Sequence, residues 1–203
     1  MDTETLLTTT RSVRRKLDLE RPVEPEVLED CLRIAQQAPA AGALLNSFRW
    51  LVVRDPELKA KIAAPIREEG RKSHEAYSHL ASNRTMVSAR HLLDVLDRVP
   101  VFVIACMEGR PTGGNAALTA FYGSAYPAIW SLHLALRTRG LGTTIVGYHL
   151  ISREREVSDL LGIPENVTQI ALMPVAYTTT TQFRPAARPP IGDITYHDHW
   201  GNP

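Results

Sequence analysis

Cysteine is scarce in this chain of 203 residues: Cys31 and Cys106 are the only two. Two cysteines cannot make the disulfide framework of a small secreted domain. Each lies among apolar residues of a predicted helix or strand, where a reduced thiol acts as a small buried hydrophobe. An excess of one charge is also missing. Lys and Arg total 23 against 22 Asp and Glu, a formal net charge of +1. Nucleic-acid binders carry a larger basic excess on one face, so no nucleic-acid partner is expected. No apolar run approaches the length of a membrane span, because Thr, His and Arg keep interrupting. The opening MDTETLLTTT is polar and is expected to be no signal peptide. These absences predict a cytoplasmic protein with no membrane partner.

Reagents of its own are equally hard to find. GLGTT lacks the G-x-G-x-x-G spacing of a dinucleotide turn and leads toward a predicted strand, and no P-loop is present. Ser124 in FYGSAYP resembles a nucleophile elbow only superficially, since the second Gly is missing and the residue sits inside a predicted helix. YHDHW places His197 and His199 two apart, near Asp193 and Asp198, without a third clustered ligand. No metal site is expected, and no catalytic side chain is identified. A chain short of acid–base and nucleophilic groups points to a cofactor that carries the chemistry.

The length suits one domain, residues 1–203, ending in an extended tail over 178–203. Pro25 begins a helix whose apolar face is Val27, Leu28, Cys31, Leu32, Ile34 and Ala35, with Pro39 beyond it as the stop. Residues 40–47 read as a loop and FRWLVVRD as a strand. PELKAKIAAPI opens a helix, and helical patterning continues through 67–98. VPVFVIACM has the continuous apolar character of a strand buried on both faces. Residues 117–140 read as a long helix, apolar nearly all round, which belongs in the middle of a fold or at an interface. LGTTIVGYH reads as a strand, SREREVSDLLGIP as a helix capped by Ser152, and VTQIALMPVAY as a strand. Helices and strands in this order predict an α+β fold, a sheet packed by helices.

What is present in force is local. TRSVRRKL puts Arg11, Arg14, Arg15 and Lys16 close together, with no acid until Asp18. Clustered guanidinium groups suit a phosphate. FRPAARPPIGD in the tail adds Arg184 and Arg188.

These same segments resemble the FMN-dependent nitroreductase family. TRSVRRKLDLERPVEPEVLEDCLRIAQQAP is similar to its opening, with the basic R-S-x-R element. YPAIWSLHLALRTRGLGTTIVGYHL is similar to its central helix and G-L-G turn. VSDLLGIPENVTQIALMPVAY is similar to its L-L-G-I-P segment and last core strand, and FRPAARPPI to its Arg-Pro tail. The matches run in one order along nearly the whole chain and look most like actinobacterial members. The resemblance implies a nitroreductase-like α+β fold, with a mixed, mainly antiparallel central sheet packed by helices, working as an intertwined homodimer with FMN at the dimer interface. It assigns Arg11, Ser12 and Arg14 to the flavin phosphate, ribityl chain and pyrimidine edge, and Arg188 to the phosphate. Arg15 and Lys16 are then solvated neighbours. Val146, Gly147 and Tyr148 match the segment passing the isoalloxazine ring, and Pro39, Ala40 and Ala41 the loop that reaches it from the partner subunit. The chain departs from the pattern at Thr10, where an Arg is common, at Gly147, where an acid is common, at Ala186 and Ala187, and in its longer, apolar loop 40–47.

The activity implied by the resemblance is ping-pong hydride transfer from a reduced nicotinamide, through N5 of FMN, to nitroaromatic or quinone acceptors. Two alternatives stand beside it: a flavin-binding or sequestering protein with little turnover, and a specialised flavin dehydrogenase or deazaflavin-linked reductase.

Overall fold

A four-stranded sheet lies between two layers of helices in the computed structural model, which describes residues 1–80 and 82–202. The helices are α1 (Thr3–Thr9), α2 (Pro25–Ala35), α3 (Pro56–Tyr77), α4 (Asn83–Val95), α5 (Asn115–Thr138) and α6 (Glu154–Leu161). The strands are β1 (Phe48–Val53), β2 (Val101–Glu108), β3 (Leu141–Gly142) and β4 (Val167–Tyr177), in spatial order β1-β2-β4-β3. The expected α+β class is observed. The sheet is not mixed, however: every strand pair is antiparallel, and the one parallel element among the described residues is the isolated bridge Gly109–Val167.

Strand alternation divides the core. Phe102, Ile104 and Cys106 of β2 face one layer, with Ile62 and Ile66 of α3 and Leu92 and Leu93 of α4. Val101, Val103, Ala105 and Met107 face the other, with Leu28 and Cys31 of α2 and Ile129, Leu132 and Leu136 of α5. Burying each such aliphatic side chain contributes about 1.5–3 kcal/mol. Burial also pushes the Cys106 thiol up to about 12, so it remains protonated and inert.

Local signals set the helix ends. Pro56 takes the first position of α3, and the Asp55 carboxylate accepts from the Leu58 N–H at 2.7 Å. The patterned stretch 67–98 becomes the end of α3 and all of α4, where the Ser82 hydroxyl accepts from the Thr85 N–H. Gly140, at φ +73°, releases the chain from α5. Ser152 does not cap α6: Arg153 holds that place.

The predicted strand over LGTTIVGYH is mostly absent. Only Leu141 and Gly142 pair with β4, and Val146 rejoins it through an isolated bridge to Leu172. The register of β3 is unchanged between those points, so Thr144 would face Pro174 at a hydrogen-bonded position. Proline has no N–H to give, and the ladder opens there. Tyr148–Ile151 then turns into a short 3-10 helix.

No helix among the described residues is long and apolar enough to cross a membrane. The tail is pinned at its start and exposed beyond. Arg137 donates to the Thr181 carbonyl at 2.9 Å and lies over the Phe183 ring, whereas Trp200 is 93% exposed.

Buried imidazoles give the fold a pH dependence. His149 is fully buried, and the Gln169 amide donates to the Glu154 carbonyl and the Ser158 hydroxyl, leaving its Oε1 to accept from His149 Nε2 at 3.1 Å. Burial holds His149 and His133 at about 4, below the ordinary 6.5. A base with a depressed folded-state pKa takes up protons first in the unfolded chain, so stability falls as pH drops from about 6.5 to about 4. Each imidazole contributes on the order of 3 kcal/mol to that loss. Denaturant titrations across this window should show the decline, and His149→Gln should flatten it. An unchanged slope in the variant would show that His149 is not held neutral.

Candidate functional site

The basic segment after α1 is laid against the β3–β4 end of the sheet by its backbone. Val13 N–H donates to the Thr143 carbonyl at 2.9 Å, Thr179 N–H to the Lys16 carbonyl at 2.9 Å, and Asp18 N–H to the Tyr177 carbonyl at 2.7 Å. Val13 and Leu17 turn into the core, which leaves Ser12, Arg14, Arg15 and Lys16 on the outer side. Gly142 allows the approach. A Cβ there would lie 2.6 Å from Thr178 Cγ2 and 3.0 Å from Val13 Cβ.

Those outer residues line a cleft of about 360 Å³, together with Arg84 and Ser88 of α4 and Phe183 of the tail. No carboxylate lines it. Arg14, Arg15, Lys16 and Arg84 make no side-chain ion pair or hydrogen bond among the described residues, while most other arginines are tied to a carboxylate or a carbonyl, as Arg110 is to Glu154 and Arg54 to Val23. Partial burial depresses the Arg14 pKa, with the Tyr148 phenol opposing that shift. A pocket with unpaired guanidinium groups and two hydroxyls is chemically an anion site.

Tyr148 is fixed next to it. Its hydroxyl shares a 2.8 Å hydrogen bond with His74 Nε2, and the two rings meet edge-on at 5.3 Å. Gly70, one turn before His74, makes room for the ring: a Cβ there would come within 2.7 Å of Leu93 Cδ1 and 3.2 Å of Tyr148 Cδ2. Burial, then the charges of Arg90 and Arg14, push the His74 pKa down, and burial pushes the Tyr148 phenol up. Both groups are therefore neutral near pH 7.

The sequence-predicted residues are only partly gathered. Ser12 and Arg14 share the cleft, and Tyr148 is within electrostatic reach of Arg14. Arg11 turns away: its guanidinium donates to the carbonyls of Thr8 at 2.7 Å, Thr10 at 2.7 Å and Arg184 at 3.1 Å, so it ties α1 to the tail. Arg188 is exposed and absent from the cleft wall, where the tail contributes Phe183. Arg15 and Lys16 are exposed as expected, yet they line the cleft. Val146 is buried in its bridge to Leu172, and Gly147 follows it at the cap of the 3-10 turn. Pro39, Ala40 and Ala41 lie elsewhere. Pro39 lines an apolar groove with Ile34 and Leu134. Ala40 lines a cleft of about 490 Å³ with Leu44, Leu45, Phe48 and Trp50. Ala41 N–H donates to Ser124 Oγ at 3.0 Å, and Ser124 donates to the Ala120 carbonyl. Ser124 is thus a loop anchor inside α5. Sequence reading missed Arg84, Ser88, His74 and Phe183. The i, i+4 spacing of Arg84 and Ser88 puts both on one helical face, but nothing in the sequence says that this face meets residues 12–16.

Among the described residues no group of three or more His, Cys, Asp or Glu is gathered as a metal would require. The tail histidines stay apart from the clefts, with His199 N–H bonded to the His197 carbonyl.

An antiparallel sheet between helical layers, with a carboxylate-free basic cleft at its edge, is the setting in which the comparisons with known proteins fall. The chain belongs to the Nitroreductase family, whose family model matches residues 7–177. It is similar to iodotyrosine deiodinase 1 of Homo sapiens, 30% identical over 182 residues that cover 85% of this chain and 60% of that protein. It is also similar to iodotyrosine deiodinase of Drosophila melanogaster, 25% identical over 173 residues that cover 82% of this chain and 59% of that one. The chain therefore spans about 60% of the length of these relatives. A crystal structure of oxidized iodotyrosine deiodinase bound to FMN and 3-iodo-L-tyrosine superposes with a TM-score of 0.68 at 21% identity, covering 91% of this chain and 94% of that one. That likeness is one of fold.

The seat of the basic segment can be tested directly. Gly142→Ala should destabilise the protein by about 1–3 kcal/mol, the usual range for overpacking, because both close neighbours sit near their own backbone. Urea unfolding measures it. A midpoint equal to that of the parent would mean that Val13 and Thr178 yield without cost.

Proposed function

We propose that the protein binds FMN and acts as a flavin-dependent oxidoreductase, taking electrons from a reduced nicotinamide and passing them to nitroaromatic or quinone-type acceptors. One observation carries the reading: in a chain of this family, unpaired cations and hydroxyls line a carboxylate-free cleft, and that donor set fits a phosphate monoester. Bound flavin would supply hydride acceptance and donation in turn. The chain's own residues supply binding and orientation. Ser12 and Arg14 hold the phosphate-bearing end. The backbone at Val146 and Gly147, with Tyr148 locked by His74, flanks the ring. No side chain here is assigned to proton transfer.

Pro39 and Ala40 line clefts apart from the basic one, which leaves the loop Pro39–Ala41 free to reach a flavin held by a second copy. Leu118, Tyr122, Tyr126 and Trp130 form an exposed stripe at i, i+4 spacing along α5, and Ile191, Ile194 and Trp200 are exposed in the tail. Contiguous apolar surface of this kind marks an interface. The assembly is accordingly a homodimer. Sedimentation should give a dimer at micromolar concentration, and Tyr126→Asp should shift it toward monomer. A folded monomer for the parent protein would remove this part of the reading.

A second reading follows from the two deiodinase relatives: reductive removal of iodide from a halogenated phenol on the same bound flavin. One experiment separates the two. The purified protein should bind FMN, and Arg14→Ala should weaken binding roughly tenfold to a hundredfold, the loss for one charge-assisted bond. Anaerobic NADH or NADPH should bleach the flavin, and a quinone or nitroarene should restore it. Iodide released from 3-iodo-L-tyrosine, with no reoxidation by the quinone or nitroarene, would favour the second reading. Flavin that stays oxidised with both nicotinamides would defeat the nicotinamide-linked enzyme, and bleaching by a reduced deazaflavin would then point to that donor.

A further inference from the structure

We infer that α4 is part of the ligand-binding wall: Arg84 and Ser88 bind the anionic group of a phosphorylated ligand across the cleft from Ser12, Arg14, Arg15 and Lys16. The family reading assigns nothing to this stretch.

The placement is specific. Arg84 and Ser88 are one helical turn apart on α4, and both line the cleft of about 360 Å³. The opposite side of α4 is buried through Met86, Ala89, Leu92 and Leu93, so packing fixes the rotation of the helix and with it the direction of the Arg84–Ser88 face. Each wall is anchored separately. The 12–16 segment is held by Thr143 and Thr179, and the Phe183 edge by Arg137. Three distant stretches of chain thus meet around one space.

The charge inventory points the same way. Several other cations of this helical pair are neutralised, Arg67 by Asp97, Arg71 by Asp94 and Lys72 by Glu68. Arg84 has no such partner among the described residues, and no carboxylate lines the cleft it faces. Like charges brought together without an acid repel one another, and an anionic ligand relieves that repulsion. The Ser88 hydroxyl, half-buried, adds a neutral donor one turn deeper. A phosphate monoester has oxygens enough for donors from both walls at once.

The inference rests on the FMN reading for the identity of the ligand, but not for its charge. The test therefore uses full-length protein and three probes: FMN, riboflavin and inorganic pyrophosphate. Arg84→Ala should weaken FMN about tenfold and leave riboflavin unchanged, because only the phosphate is addressed. Arg84→Lys should recover part of the loss, Ser88→Ala should weaken FMN more modestly, and Lys61→Ala, an exposed cation of α3 outside the cleft, should change nothing. Circular dichroism and a thermal melt confirm that each variant is folded. If FMN binds and Arg84→Ala and Ser88→Ala both match the parent, α4 is not part of the wall and the inference is overturned while the FMN reading stands. If FMN binds no better than riboflavin, the flavin-phosphate reading fails and the pyrophosphate titration decides. Pyrophosphate binding weakened by Arg84→Ala upholds the wall, and absent or Arg84-independent binding overturns it.

Discussion

The approach of Val13 to Gly142 is the constraint on which the basic cleft depends. The glycine has no side chain where one would strike Val13 and Thr178, and that missing atom lets the N-terminal segment lie flat on the sheet edge. With Val13 and Leu17 buried, the turn between them carries the intervening residues outward, so the same hydrophobic seating that holds the segment also presents Ser12 and Arg14. The reciprocal backbone bonds to Thr143 and Thr179 set the register. A shift by one residue would bury an arginine and expose Val13.

A second constraint lies on the far side of the same edge. Pro174 breaks the β3–β4 ladder, and the chain from Thr143 to Tyr148 is freed from regular pairing just where it passes Arg14. The freed stretch is not slack. Val146 is clipped to Leu172 by two hydrogen bonds of 2.8 and 2.9 Å, and Tyr148 is clipped to His74. An interrupted ladder with anchors at both ends holds backbone away from a sheet while keeping it rigid, as a preorganised surface requires.

Much of this architecture was legible in the sequence. The apolar face of α2, the all-round apolar character of α5, the both-faces-buried character of β2, the strand at β4 and the run of basic residues are local signals, and each was placed within a few residues. The strand expected over 141–149 failed for a non-local reason: Pro174 is thirty residues away, and only the register of pairing brings it opposite Thr144. Arg188 and Arg11 lie away from the cleft for a different reason. Both are the right residue type for a phosphate, but Arg11 is taken by carbonyls of its own helix end and Arg188 is carried outward by the tail. Composition reports which side chains could bind an anion, and packing decides which of them face it. Arg84 shows the converse, since no motif connects it to the basic segment and only the rotation of α4, fixed by Leu92 and Leu93, brings the two together.

Unneutralised charge at this edge has a thermodynamic consequence. Two like charges 4 Å apart in water repel by about 1 kcal/mol, and a fold gains nothing by assembling several of them. The surface here supplies carboxylates generously where they serve only stability: Arg153 lies between Glu68 and Glu156, and Arg155 between Asp159 and Glu165. No carboxylate lines the cleft that the 12–16 segment, α4 and the tail jointly enclose. Stability given up at a site is the usual mark of selection for binding. An anion that relieved the repulsion would stabilise the folded chain in proportion to how tightly it bound. The cleft and the sheet edge beneath it are in this sense one unit. The docking of Val13 positions the charges, and an anion bound there would reinforce the docking.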